Sequence, residues 1–466
     1  MGSVSEFDYV VVGAGTAGCV IAARLSQDSG ARVLLLEAGG REPLDAMAIP
    51  PAWPTLLGTS ADWADRTVPQ TAAGLAVPWP RGRGPGGSSS INAMNFLRGH
   101  RSGYDAWTEA GAEGWGYDDL LPYFKRSENL TGIAGRDPAV RGMEGPLRVG
   151  PAVERHPLAE AGLTAAAQAG HTEVRDLAGG LEEGFGWGDL NIADGKRQDT
   201  AAAYLRPVMD RPNLHVVTDA LVHRVLLDGD HCTGVAGAVG TPQVLMLSGI
   251  GPRDHLGQVG IDTAVDLPGV GANLWDHPMS GIVYRAARPV PPGANNHGEV
   301  QGLIRSEPQV ADPVIMVALM MPFSRGTVRL ATSTPGGAPL LDPRYYTDRR
   351  DVAAMAGGLR TAREIGNAPA LTNWRGEEAL PGPAVHDDEQ WTAYRHKNLR
   401  TYSHYAGTCR IGTDETAVVD PKLRVRGVSG LRVADASVMP SSVSANTNAT
   451  VYAIAERAAD LVRPRS

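Results

Sequence analysis

Gly13-Ala14-Gly15-Thr16-Ala17-Gly18 follows a short apolar run, Phe-Asp-Tyr-Val-Val-Val at 7–12, and opens a stretch with apolar residues at helical spacing, Val20, Ile21 and Leu25. Gly30 ends that helix, and Arg-Val-Leu-Leu-Leu at 32–36 reads as a second buried strand, with Glu37 at its end, nineteen residues beyond Gly18. This is a βαβ unit carrying G-x-G-x-x-G between strand and helix. The first glycine permits a tight turn, the second lets backbone approach a diphosphate, and the third lets helix and strand pack closely; the later carboxylate accepts from ribose hydroxyls. The helix N-terminus turns its partial positive charge toward the diphosphate. The pattern predicts a dinucleotide site and leaves FAD and NAD(P) both open. For Glu37 an ordinary surface carboxylate is the competing reading.

The remaining chain is too long for one ordinary domain at 466 residues, and 42% hydrophobic with 20% charged residues supports a large core. Fifty-seven glycines and 34 prolines without a collagen-like period point to many tight turns. A formal charge of −8 with no basic stripe argues against nucleic acid as a partner. Cys19, Cys232 and Cys409 are far apart, which excludes metal-ligand spacing and makes a disulfide framework improbable. Met1 to Asp8 carries no signal-peptide pattern, and no apolar run reaches membrane-span length. A soluble cytoplasmic protein is the expectation.

Residues 51–105 are irregular and Gly/Pro/Trp-rich, with Gly and Ser dense at 82–90. A helix is predicted at 116–128, two strands within 213–228, and a helix from 240 with Thr241 as N-cap and Pro242 in its first turn. Residues 281–345 read as strand-rich, 350–366 as helical, 430–434 as a short strand and about 448–463 as a final helix. The pattern fits two interleaved domains.

Further segments carry a resemblance. Gly-Arg-Gly-Pro-Gly-Gly-Ser-Ser-Ser-Ile-Asn at 82–92 resembles the first signature of the glucose–methanol–choline (GMC) oxidoreductases, and Gly-Ala-Val-Gly-Thr-Pro-Gln-Val-Leu-Met-Leu-Ser-Gly-Ile-Gly at 237–251 resembles the second. Residues 402–410 (Tyr-Ser-His-Tyr-Ala-Gly-Thr-Cys-Arg) and 433–440 (Val-Ala-Asp-Ala-Ser-Val-Met-Pro) resemble the closing motifs. The resemblance spans essentially the whole chain. It implies an α/β fold: a Rossmann-like FAD-binding domain with an interleaved α+β substrate domain built on an antiparallel sheet. The FAD domain would take 1–150, 201–280 and 401–466, and the substrate domain 151–200 and 281–400.

It also implies where FAD lies. Gly86, Gly87 and Ser88 would offer backbone N–H groups to phosphate oxygens. Asn92 and Met94 fall where the family contacts the flavin, and Ala38 follows the ribose carboxylate. Asp435 and Ala436 would lie beside the ribityl and pyrophosphate portion, with a turn-initiating Asp as the alternative. Val222 would lie against the adenine and Trp63 near the flavin, where an ordinary core role competes for both. Some members bond flavin covalently to a histidine where this chain has Ile91, so non-covalent FAD is implied.

Motif matching puts the family's catalytic pair on His404 and Asn446. A neutral imidazole in reach of an alcohol can take its proton as hydride leaves. An amide cannot, so Asn446 would orient the hydroxyl and donate to the developing alkoxide. Asn446 and Thr447 also open the last helix, whose N-terminus would face the flavin pyrimidine; a plain N-cap role is compatible with this. The competing reading of His404 is a hydrogen-bonded core histidine. Ser403, where several relatives carry a larger aromatic, implies a roomier pocket for a bulky or aryl primary alcohol, with oxygen or another acceptor completing turnover. The rivals are a non-redox lyase of the hydroxynitrile type, a non-catalytic flavin-binding protein and, more distantly, a light-driven decarboxylase.

The chain departs from the family pattern at Pro85, which removes a donor in the phosphate loop. It is also shorter at Val235-Ala236, by about twenty residues (a strand pair) as judged from the resemblance, and again near Phe323-Ser324. Losing a strand would expose core and unpaired backbone, so a segment omitted from the sequence is expected there rather than a trimmed fold.

Overall fold

The computed structural model describes residues 6–179, 184–234, 240–300, 303–305 and 313–463. Met1–Ser5, the Val235–Ala236 junction and the first three residues of the second signature lie outside the described residues.

Val33–Leu36 is the middle strand of a parallel sheet, flanked by Tyr9–Val12 and Leu214–Val217. Val11, Val33 and Leu35 are fully buried, as parallel strands covered on both faces must be. Helix Thr16–Leu25 lies against this sheet and packs on the C-terminal helix Thr447–Val462. The contact faces are rich in alanine, with Ala22, Ala23, Ala449, Ala453 and Ala455 all buried, so the two helices approach closely. Arg24 pairs with the buried Glu456 at 2.8 Å across that contact.

The second body is an antiparallel sheet ordered Leu303–Arg305, Pro313–Ala318, Pro278–Ala286, Arg375–Leu380, with Arg400–Thr401 added against Pro278 and Met279. Helix Arg349–Gly366 covers it, burying Met355, Leu359 and Ala362 in one core with Ile282 and Ile315. Among the described residues, no helix is long and apolar enough to cross a membrane.

The two cores meet along two crossing segments. Leu274 belongs to the substrate-side core and Trp275 to the nucleotide-side core; Tyr405 and Ala406 divide the same way. Trp275 and Ala406 exchange both backbone hydrogen bonds at 3.1 Å, and the Tyr402 N–H donates to His277 O at 3.0 Å. The register that sets 275 opposite 406 sets 277 opposite 404. It shifts by two residues before Thr401, which faces Pro278, and the shift occurs at Ser403, whose φ is +61°. A left-handed residue in one strand is how a bulge re-aims its neighbours.

Two sequence expectations fail here. Leu214–Val217 forms as expected, but 218–227 form no strand; a strand needs a neighbour, and the Val225 N–H goes instead to Ser248 Oγ at 2.9 Å. Thr241 is not an N-cap: the helix is Gly240–Leu247, and the Thr241 hydroxyl donates to Asp435 at 2.8 Å.

The fingerprint glycines separate by geometry. A Cβ on Gly18 would lie 1.8 Å from Gly13 O, whereas one on Gly15 would meet no protein atom within 4 Å. Gly18→Ala is therefore expected to destabilise the cofactor-free protein by about 1–3 kcal/mol, the range for overpacking. Gly15→Ala should leave its melting temperature unchanged and weaken cofactor binding. Thermal unfolding with and without added FAD checks both.

Candidate active site

A cavity of about 940 Å³ runs between the two bodies. Its nucleotide end is walled by Gly13, Gly15, Thr16, Ala17, Gly18, Glu37, Ala38 and Val222, and its middle by Trp63, Gly87, Ser88, Asn92, Met94, Asp435 and Ala436. At the far end stand His404, Asn446 and Thr447, with Trp53, Met279, Met316 and Tyr402 beyond them. Of the residues expected from the sequence to be catalytic or to contact the cofactor, Gly86 alone is not on this wall.

The loop Gly84–Ser88 explains why. Gly86 is left-handed (φ +91°) and its N–H is donated to Ala14 O at 2.7 Å; the Gly87 N–H goes to Gly84 O at 2.8 Å. Two of the three donors expected to meet phosphate are thus spent on closing the loop against the fingerprint turn. Ser88 keeps its place at the wall. Glu37 completes the clamp: one carboxylate oxygen accepts from Ala14 N–H at 2.7 Å, the other from Gly39 and Gly84 N–H at 2.8 and 2.9 Å. An ionised carboxylate has about four acceptor sites, so three are filled by backbone and one is left toward the cavity. Glu37 is buried, not the ordinary surface carboxylate that was its alternative.

Asp435 has the turn-initiating role that was its alternative, and it also stands on the cavity wall. It caps the turn Ala436–Val438, accepting from Ser437 N–H at 2.7 Å, and it lines the cavity. Burial raises its carboxyl to about 6. Trp63 is half-buried on the wall with Arg81 and Arg83 over its ring at 5.3 and 5.1 Å.

His404 is held from three sides. Its backbone N–H donates to Asp276 Oδ1 at 2.7 Å; its Nδ1 lies 2.7 Å from His277 Nδ1; its Nε2 lies 3.1 Å from Asn446 Nδ2. Asp276 also accepts from Thr401 at 2.5 Å and from the Tyr345 hydroxyl. Burial raises Asp276 to about 6 and lowers His404 well below the usual histidine value, so His404 is neutral at pH 7. Asn446 is the N-cap residue of the last helix, yet its side chain makes no capping bond and turns to His404 instead.

Sequence reasoning missed several residues of this site. His277 and Ser442 stand behind His404, with His277 Nε2 2.7 Å from Ser442 Oγ. Arg197, buried, donates to Asn92 O and Oδ1 (2.7 and 2.8 Å) and to Ser89 O and Met47 O, and so carries the loop bearing Asn92. Burial lowers its guanidinium to about 10, still protonated at neutral pH. Little in the local sequence marks them; the one available signal is the pair of adjacent titratable residues Asp276 and His277 just before the strand Pro278–Ala286.

The wall fits a dinucleotide. Asn446 Oδ1 and Asn448 Nδ2 are buried and have no hydrogen-bond partner within the protein, a state folded proteins rarely tolerate without a ligand. Open space over Gly15 is where backbone can approach a diphosphate. Ile91, at the position that could carry a covalent flavin link, is an apolar residue packed with Leu56 and Ala61.

Comparison with known proteins agrees. Family models described as GMC oxidoreductase match residues 7–236 and 235–279 (N-terminal model) and 322–455 (C-terminal model). The N-terminal matches meet at Val235-Ala236, where the chain is short. Human mitochondrial choline dehydrogenase is 38% identical, the alignment covering 99% of this chain and 90% of the relative. Alcohol dehydrogenase [acceptor] of Pseudomonas putida is 35% identical over 98% and 95%. The crystal structure of pyridoxine 4-oxidase from Mesorbium loti superposes with a TM-score of 0.93 at 34% identity, covering 98% of this chain and 99% of that one. The alignments to the two dehydrogenases run over more than 530 positions against 466 residues here, so these relatives carry segments this chain lacks. The chain belongs to the GMC oxidoreductase family, FAD-binding flavoenzymes that act on alcohols.

Proposed function

We propose that this enzyme oxidises a bulky or aryl primary alcohol, with His404 as the base and non-covalently held FAD as the hydride acceptor. The observation that carries the reading is the His404–Asn446 contact at the end of the cavity: a neutral imidazole and an amide, side by side, with the amide released from its capping role. FAD when bound supplies a two-electron acceptor for the substrate carbon. His404 Nε2 takes the hydroxyl proton as the carbon is oxidised, and the Asn446 amide donates to the oxygen as charge builds on it. Burial of both groups excludes water from the proton's path and strengthens the hydrogen bonds.

The substrate end supports the size and charge of the alcohol. Trp53, Val77, Met279, Met316, Tyr402 and Leu399 present mostly apolar wall, and the serine at 403 leaves room beside the base. A choline-like cation, the substrate in the names of several relatives, is held by aromatic faces, a facing carboxylate, or both. Among the described wall residues the acids are Glu37 and Asp435, both at the cofactor side and both already accepting hydrogen bonds. Arg400 lines the substrate side instead. Pyridoxine, named in the solved relative, is an aromatic alcohol of the proposed kind.

The test is anaerobic mixing of the purified holoenzyme with benzylic, aliphatic and sugar alcohols and with choline while flavin absorbance is followed, and then admission of oxygen. Bleaching by the benzylic set is expected. Bleaching by choline alone, or only by methanol-sized alcohols, would overturn the substrate class, and a flavin that stays yellow with every alcohol would favour the lyase reading. His404→Ala should slow flavin reduction at least about 100-fold, within the usual contribution of a general base, while FAD stays bound; a near-normal rate would show that the base is elsewhere. Denaturation should release all the FAD into the filtrate, as Ile91 offers no covalent attachment.

A further inference from the structure

We infer that His277 is a positioning residue that fixes which ring nitrogen of His404 is the base. The inference rests on the reading of His404 as the base and adds what makes it one: an imidazole in the wrong tautomer would turn an N–H toward the substrate and could take no proton.

The direction of each hydrogen bond follows from the far end of a chain. Met320 O can only accept, and Ser442 Oγ lies 2.7 Å from it, so the serine hydroxyl donates there. That hydroxyl has no second hydrogen. His277 Nε2, 2.7 Å from Ser442 Oγ, must therefore be the donor to it. The carbonyls of Met320 and Val443 also accept from His277. Burial holds His277 neutral, pulling it down to about 3, so its single proton is on Nε2 and its Nδ1 is bare. The 2.7 Å contact between the two Nδ1 atoms then has one possible donor, His404 Nδ1–H. His404, neutral as well, is left with a bare Nε2, the atom that faces Asn446 and the cavity.

The fold supports this arrangement. The two imidazoles are directly opposed across the Trp275–Ala406 pairing, with ring centroids 4.8 Å apart and planes at 89°. Edge-on packing at a 2.7 Å nitrogen–nitrogen distance is direct contact, and His277 Nδ1 is the partner that His404 Nδ1–H meets. The carboxylate of the neighbouring Asp276 takes the backbone N–H of His404 rather than its ring.

Two variants and one spectrum test it. His277→Leu removes the acceptor and should lower the limiting rate of flavin reduction at saturating alcohol at least about tenfold, with the alcohol dissociation constant moving less than about threefold. His277→Asn puts an amide oxygen where Nδ1 stood and should recover most of that loss. In wild-type holoenzyme labelled with 15N-histidine, the pair of signals lost in His404→Ala should show a protonated Nδ1 and a bare Nε2. A normal reduction rate in His277→Leu, an equal loss in His277→Asn, or a protonated Nε2 would each overturn the inference. If His277→Leu does not retain FAD, the nitrogen spectrum decides. Because that spectrum reads the tautomer without turnover, it stands even where His404→Ala keeps reducing flavin, which would defeat the base but not its tautomer.

Discussion

The short antiparallel pairing of 274–277 with 402–407 is the contact on which the site depends. It is the place where the nucleotide-side and substrate-side cores abut, and it changes register at Ser403, whose left-handed backbone costs about 1–3 kcal/mol. That cost brings the residue after the bulge inward. Asp276 then fastens the backbone of 404, and Thr401 and Tyr345 fasten Asp276. A side chain held by strand register and a buried carboxylate has little rotamer freedom left, which is what a reacting group requires.

The cofactor side is built by a different device, in which backbone donors are consumed to close loops rather than left waiting. Gly86 ties the Gly-Ser loop to the fingerprint turn, Gly87 closes the loop on Gly84, and Glu37 ties three separate stretches of chain through one carboxylate. Arg197 does the same for the Asn92 stretch with a buried cation bound to oxygens of Met47, Ser89 and Asn92. Two buried side-chain atoms without a partner in the protein, Asn446 Oδ1 and Asn448 Nδ2, lie at the start of the last helix, on residues of the cavity wall. Unmet polar groups on the wall of a cavity held in a closed frame are the arrangement expected of a binding site.

Much of this was legible in the sequence wherever function is written locally. The G-x-G-x-x-G turn, the strand before it, Glu37, the helix over 350–366 and the final helix all obey short-range rules of periodicity and turn chemistry. The pair His404 and Asn446 came from motif resemblance, and the structure brings them within 3.1 Å. Most of the failures share one cause, dependence on partners remote in sequence; Gly87, whose N–H goes to Gly84, is the local exception. Residues 218–227 have the apolar pattern of a strand but no neighbour to pair with. Thr241 has the chemistry of an N-cap, yet Asp435, 194 residues away, claims its hydroxyl. Gly86 has a free-looking N–H until Ala14 is folded against it. His277 is 127 residues from His404, and no spacing rule joins them.

Neutrality at rest and tolerance of a proton in action make opposite demands on His404, and the site meets them with different groups. Full burial disfavours the imidazolium, so the base is free to accept a proton at neutral pH. The same burial would penalise the imidazolium that forms when the proton arrives. Two groups offset that penalty without charging the base beforehand. The bare Nδ1 of His277 accepts a hydrogen bond that strengthens when its donor becomes cationic, and the carboxylate of Asp276, raised only to about 6, is still mostly ionised at pH 7 beside the backbone of the same residue. A carboxylate directly on the ring would have raised the pKa of His404 further and protonated it too early; placed on the backbone N–H, away from the ring nitrogens, it stabilises the imidazolium by less and raises the proton affinity correspondingly less. The order ring–imidazole, backbone–carboxylate therefore keeps the base both empty and usable.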